Sequence, residues 1–85
     1  MSPRRLLRRL AEGAFANVAF GDFVGVAQAV GFRLDRINGS HHVFVHPDVD
    51  ELLNVQNVRG QAKPYQLRQF MGLVERYNLR LEDES

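Results

Sequence analysis

The sequence predicts an α+β fold with two layers: helices pack on one face of a three-stranded antiparallel sheet, and an extra helix precedes them. One observation behind this prediction is the Asn38-Gly39 pair between two apolar runs. It indicates a type I′ hairpin turn, because both central residues of that turn adopt positive φ. A second observation is that apolar residues repeat at helical spacing before and after the strands. Amphipathic helices beside antiparallel strands form a two-layer domain, since both must bury an apolar side.

Length and composition limit the chain to one globular domain. Its 85 residues support a single core, and its apolar fraction of 45% is ordinary for a globular protein. Cysteine is absent, which excludes disulfides and thiolate metal ligands and fits a cytoplasmic location. No apolar run approaches the roughly 18 residues that span a bilayer, so we expect no membrane partner.

Residues 1–19 predict an arginine-rich helix and a connection. Pro3 suits the first turn of a helix, and leucines occupy one side of it. The other side carries four of the eleven basic residues of the chain: Arg4, Arg5, Arg8 and Arg9. Because the net charge is only +1, these arginines form a local basic patch on a nearly neutral protein. Two interpretations stay open: a solvated helix face, or a surface that contacts RNA phosphates or a protein partner.

The predicted domain covers residues 20–79 and begins with a second helix. Asp22 suits its N-cap, and Gly31 suits the position after its C-cap at Val30. Strands follow over residues 32–37, 40–46 and 52–58, with an acidic loop over 46–51 and a further loop over 59–63. Pro64 begins the last helix, whose buried side repeats at helical spacing: Leu67, Phe70, Met71, Val74 and Tyr77. An acidic tail over residues 80–85 closes the chain.

Three histidines on the second strand raise the question of a metal site. His42 and His46 share a strand face but lie about 13 Å apart at a rise of about 3.3 Å per residue, which is too far to share one zinc ion. Strand alternation places His41 and His42 on opposite faces, without telling which face meets solvent. Either one is a candidate general acid or base, because imidazole titrates near neutral pH. We expect no metal and, without a phosphate loop or dinucleotide motif, no cofactor.

Several motifs, in their order and spacing, resemble the HicA toxins of bacterial toxin–antitoxin pairs. They are Gly31-Phe32, the run over residues 36–47 that contains Gly39-Ser40-His41-His42, and the start of the last helix over residues 63–70. The resemblance covers roughly residues 22–77. It implies a fold like that of double-stranded-RNA-binding domains, whose α-β-β-β-α order matches the predicted elements. It also implies a metal-independent endoribonuclease that cleaves mRNA and is neutralised by a HicB-type antitoxin.

The resemblance also implies which residues act. The family's catalytic histidine directly follows Gly-Ser, which makes His41 the catalytic residue here. RNA supplies its own nucleophile, the 2′-hydroxyl, so the enzyme needs only proton transfer and charge stabilisation. For contacts with RNA we expect Lys63 first, and then the other basic and turn residues near the hairpin: Arg59, Arg36, Ser40 and Gly39. In place of the Pro-x-His that related chains often carry, this chain has Gln56-Asn57-Val58.

Two other functions compete with this interpretation. One is a non-catalytic RNA-binding module of the same fold, whose binding would weaken steeply with salt. The other is a partner-docking domain that uses the arginine-rich helix for assembly. Only the ribonuclease would leave shortened RNA with a discrete pattern of cuts.

Overall fold

The computed structural model describes residues 1–82 and contains three helices and one four-stranded sheet. The helices are α1 (Pro3–Ala11), α2 (Phe20–Ala29) and α3 (Pro64–Arg76). The strands are β1 (Arg33–Asn38), β2 (His41–His46), β3 (Val49–Val58) and β4 (Gln61–Ala62). All pairs are antiparallel, in the order β1-β2-β3-β4. The predicted α+β class and the extra N-terminal helix are confirmed. The predicted acidic tail lies outside the described residues from residue 83 onward.

The core lies between the helices and one face of the sheet. Phe23 of α2 meets Phe44 of β2 and Phe70 of α3 in edge-to-face contacts, with ring centroids 5.8 and 5.3 Å apart. All three rings are fully buried. The predicted apolar side of α3 is buried with them as far as Val74, whereas Tyr77 follows the end of the helix and is only half-buried. Within residues 1–82, none of the helices has the length and the apolar composition of a membrane-spanning segment.

Helix α1 joins this core through its leucines. Leu6 and Leu10 are buried, while Arg5, Arg8 and Arg9 are exposed. The hydroxyl of Ser2 accepts a hydrogen bond from the amide of Arg5 at 3.2 Å and caps the helix. The amphipathic character predicted for this helix is therefore confirmed.

Helix α2 begins earlier than predicted, and Asp22 is not its N-cap. Ala19 occupies that position without a side-chain bond, and the amide of Phe20 donates instead to the carbonyl of Gly60 at 2.8 Å. A tertiary contact thus replaces the expected cap. The end of the helix agrees with the prediction, because Gly31 has a φ of 104° and the Phe32 amide donates back to Ala27 at 2.9 Å.

The sheet has four strands rather than the predicted three, and two of the predicted loops are wrong. β3 already begins at Val49, which is buried and pairs with His46, so only Pro47 and Asp48 remain as a turn. β4 lies in the predicted loop over residues 59–63 and pairs with the end of β3. Its turn places Arg59 and Gly60 at φ values of 53° and 82°. Arginine is not among the residues that usually signal such a turn, so the sequence pattern missed it.

The first hairpin turn lies one residue later than predicted. Asn38 pairs with His41, so the turn residues are Gly39 and Ser40, not Asn38 and Gly39. Of these two, only Gly39 has positive φ, at 60°, which fits a type II′ turn with glycine in its first central position. The shift matters for the site, because Ser40 belongs to the turn and its side chain does not follow strand alternation.

Candidate functional site

The sheet face opposite the core carries a polar cluster. Residues paired directly across antiparallel strands point to the same face. The pairing forms two neighbouring rows on this open face, one of Asn38, His41 and Gln56 and one of Arg36, Val43 and Asn54. The candidate catalytic histidine therefore lies on the face that the core leaves open.

His41 is held in this cluster by an amide. Its side chain is half-buried, and its Nδ1 lies 3.1 Å from Oδ1 of Asn54 on the neighbouring strand. An amide oxygen only accepts hydrogen bonds, so in this contact Nδ1 carries the proton of the neutral ring. Nε2 then carries the lone pair, and no residue among 1–82 is hydrogen-bonded to it. The arrangement suits a general base.

The other two histidines serve the packing. The ring of His42 lies on the core side, 4.6 Å from that of Phe20. His46 donates from Nε2 to the carbonyl of Val30 at 2.9 Å and accepts from the Asp48 amide at Nδ1 at 3.0 Å. These contacts decide what alternation left open: His41, not His42, is on the open face. Within residues 1–82, no three His, Asp or Glu side chains are grouped to hold a metal ion.

Gln56 connects the hairpin turn to the strand that lies opposite His41. The amide group of Gln56 donates from Nε2 to the Ser40 hydroxyl at 3.1 Å, and Gln56 is also the cross-strand partner of His41. The backbone amide of Gln56 donates to Oε1 of Gln66 at 2.8 Å. Gln66 is the one polar side chain among the described residues that is fully buried, so α3 fixes β3 at this point.

The predicted basic residues lie at the same end of the sheet as the hairpin turn, without touching His41. Arg36 is on the open face and forms an exposed ion pair with Asp35 at 2.7 Å. Arg59 is exposed in the turn between β3 and β4. Lys63 precedes α3, with its Nζ 5.9 Å from the ring centre of Tyr65. Lys63 directly follows β4, which lies two strands from β2 in the sheet.

Sequence reasoning missed three residues of this site: Asn54, Gln56 and Gln66. The alternation in Leu53-Asn54-Val55-Gln56 does indicate a strand with one polar side. This alternation indicates that Asn54 and Gln56 lie on the same face of the sheet. It does not indicate that His41 lies on that face too. The pairing register between β2 and β3 supplies this information, and the register was not predicted.

The fold and the open face define a small α+β protein that presents a histidine among amide side chains. Residues 21–74 match the family model of the HicA toxin of bacterial toxin–antitoxin systems. This match covers more than half of the chain, which therefore belongs to the HicA toxin family. Members of this family are toxins that pair with an antitoxin. Neither the comparison with curated proteins nor that with solved structures gives a significant match.

Proposed function

We propose that this toxin is a metal-independent endoribonuclease that cleaves mRNA, with His41 as the proton-transfer residue. The observation that carries the proposal is the position of His41 on the open face, held at Nδ1 by Asn54 while Nε2 is free of protein partners among residues 1–82. The order α2-β1-β2-β3-α3 supports a likeness to double-stranded-RNA-binding domains, apart from the short fourth strand. An mRNA substrate implies that the toxin acts in the cytoplasm.

The proposed reaction uses the nucleophile of the RNA itself. Nε2 of His41 takes the proton of a 2′-hydroxyl, and the 2′-oxygen forms a bond to the adjacent phosphorus. The bond between phosphorus and the 5′-oxygen breaks, and a proton from water or from the protonated His41 neutralises the leaving oxygen. The products carry a 2′,3′-cyclic phosphate and a 5′-hydroxyl. Proton transfer of this kind accelerates a reaction by about 10²–10⁴-fold.

Neighbouring groups would stabilise the phosphate during this reaction. The Ser40 hydroxyl accepts from Gln56, which leaves its own proton to donate to a phosphate oxygen. The turn residue Gly39 has no side chain that would block the approach of the RNA backbone. Arg36, Arg59 and Lys63 supply positive charge around this end of the sheet, and Lys63 remains the first candidate for a phosphate contact.

The proposed antitoxin is a HicB-type protein that covers His41. Leu52 is 51% exposed on the same face as Asn54. An exposed apolar side chain beside a polar site suits a protein partner, because an interface buries it. A complex of this kind blocks RNA from reaching the open face.

Comparison of His41→Ala with His42→Gln tests the proposal. We expect His41→Ala to lose cleavage of a labelled RNA by at least about 10²-fold, and to lose growth inhibition in cells, while its circular dichroism is unchanged. His42→Gln alters the neighbouring histidine on the core side and serves as the matched control, with cleavage retained. A His41→Ala protein that still cuts RNA at the original rate would contradict the proposal. Binding of RNA without cuts by the wild type would favour the non-catalytic module instead.

A further inference from the structure

We propose that Asn54 is a positioning residue, which fixes the ring of His41 so that Nε2 points away from the sheet toward the RNA. This inference rests on the proposed function for its catalytic meaning. The contact itself, 3.1 Å from Asn54 Oδ1 to His41 Nδ1, is a feature of the fold.

The two residues are held by the most firmly paired part of the sheet. His41 is on β2 and Asn54 on β3, the two central strands of the order β1-β2-β3-β4. The backbone of Asn54 pairs with buried Val43, and its chain neighbours Leu53 and Val55 are fully buried in the core. A displacement of Asn54 would therefore require the core side of β3 to move. This makes the amide oxygen a fixed point for the imidazole.

The contact runs diagonally across the open face and selects one tautomer. The direct partner of His41 is Gln56, and Asn54 lies two residues further along β3 on the same face. Gln56 is already bonded to Ser40, so Asn54 is the amide that reaches the ring. Because Oδ1 accepts the Nδ1 proton, the lone pair is confined to Nε2, the nitrogen on the opposite side of the ring.

The same hydrogen bond persists through the proposed proton transfer. When Nε2 takes the proton of the 2′-hydroxyl, Nδ1 keeps its own proton and continues to donate to Asn54. The neutral amide thus orients both forms of the ring without placing a negative charge near the RNA phosphates. Loss of orientation of a catalytic group costs up to about 10²-fold in rate, so we expect removal of the amide to lower kcat tenfold to a hundredfold.

Three variants of β3 test the inference. Asn54→Ala removes the acceptor, and Asn54→Asp keeps an oxygen at its place. Asp50→Asn changes an exposed residue of the same strand, away from His41, and is the matched control. The measurements are kcat and KM for cleavage of an RNA oligonucleotide, and the nitrogen-15 NMR spectrum of His41. The spectrum reports which ring nitrogen carries the proton.

We expect Asn54→Ala to lower kcat tenfold to a hundredfold with little change in KM, and to leave His41 as a mixture of tautomers. Asn54→Asp should recover part of kcat, and Asp50→Asn should match the wild type. The inference is overturned if Asn54→Ala cleaves RNA with the wild-type kcat, or if wild-type His41 carries its proton on Nε2. A His41→Ala protein that remains active would instead overturn the proposed function, and the wild-type spectrum would still decide whether Asn54 fixes the ring.

Discussion

Different side-chain contacts distinguish the histidines of β2. His46 bridges the end of α2 and the turn after β2, because it donates to Val30 and accepts from Asp48. His41 makes its ring contact with Asn54 on the open face. Alternation along the strand predicted that His41 and His42 point in opposite directions. It could not decide which direction is solvent, since that depends on where the helices pack.

Gly31 offers a prediction at the residue scale. A Cβ added at this residue would lie 2.6 Å from Nε2 of His46, and its φ of 104° disfavours any side chain. We therefore expect Gly31→Ala to lower the free energy of unfolding by about 1–3 kcal/mol, measured by chemical denaturation. In a His46→Ala background the clash is absent, and the cost should fall to the backbone strain alone, about 1–2 kcal/mol.

Gly25→Ala is the control for this measurement. Gly25 lies inside α2, and an added Cβ would meet nothing within 4 Å. Alanine there should leave stability unchanged or raise it by up to about 1 kcal/mol, because alanine favours a helix more than glycine does. Equal effects of the two substitutions would contradict the role given to Gly31.

At the scale of elements, local patterns predicted the helices better than the strand ends. The apolar repeat of α3 and its start at Pro64 are local features, and both are confirmed. The predicted start of α2 was wrong because the amide of Phe20 donates a hydrogen bond to the carbonyl of Gly60, which lies 40 residues away in the chain. The predicted start of β3 was wrong because the acidic residues before Leu52 are typical of a solvated loop. Asp50 and Glu51 are strand residues with exposed side chains.

The junction of β3 and α3 gives a prediction of pH dependence. The hydroxyl of Tyr77 donates to Oε2 of Glu51 at 2.8 Å, and this hydrogen bond, with burial and the nearby negative charge, raises the pKa of Tyr77 above its usual 10.0. The contact stabilises the fold while the phenol is neutral. Its contribution is complete below the unfolded-state pKa and is lost as the pH rises through the raised folded-state pKa.

Glu51→Gln tests this junction. Removing the negative charge should bring the pKa of Tyr77 down toward its usual value. An ultraviolet titration of tyrosinate in a Tyr65→Phe background measures Tyr77 alone, because the chain has two tyrosines. An unchanged titration midpoint in Glu51→Gln would show that the carboxylate does not act on Tyr77.

For the whole molecule, the sequence predicted the class of fold and the histidine-bearing strand, but not the side-chain contacts around His41. The element order and the histidine-bearing hairpin follow from local signals. The contact between His41 and Asn54 joins residues 13 apart, and that between Gln56 and Gln66 joins β3 to α3. Both depend on register and helix placement, which arise from packing of the complete core.

Replacement of a single 2′-hydroxyl in the RNA is the sharpest test of the proposed reaction. The position of cleavage is first mapped on an RNA oligonucleotide with the purified wild-type toxin. A second oligonucleotide then carries a 2′-O-methyl group on the nucleotide 5′ to that cut. If the toxin uses the 2′-hydroxyl with proton transfer by His41, this site is not cut, and the unmodified RNA yields a 2′,3′-cyclic phosphate and a 5′-hydroxyl. Cleavage of the methylated site at the original rate would show that the 2′-hydroxyl is not the nucleophile.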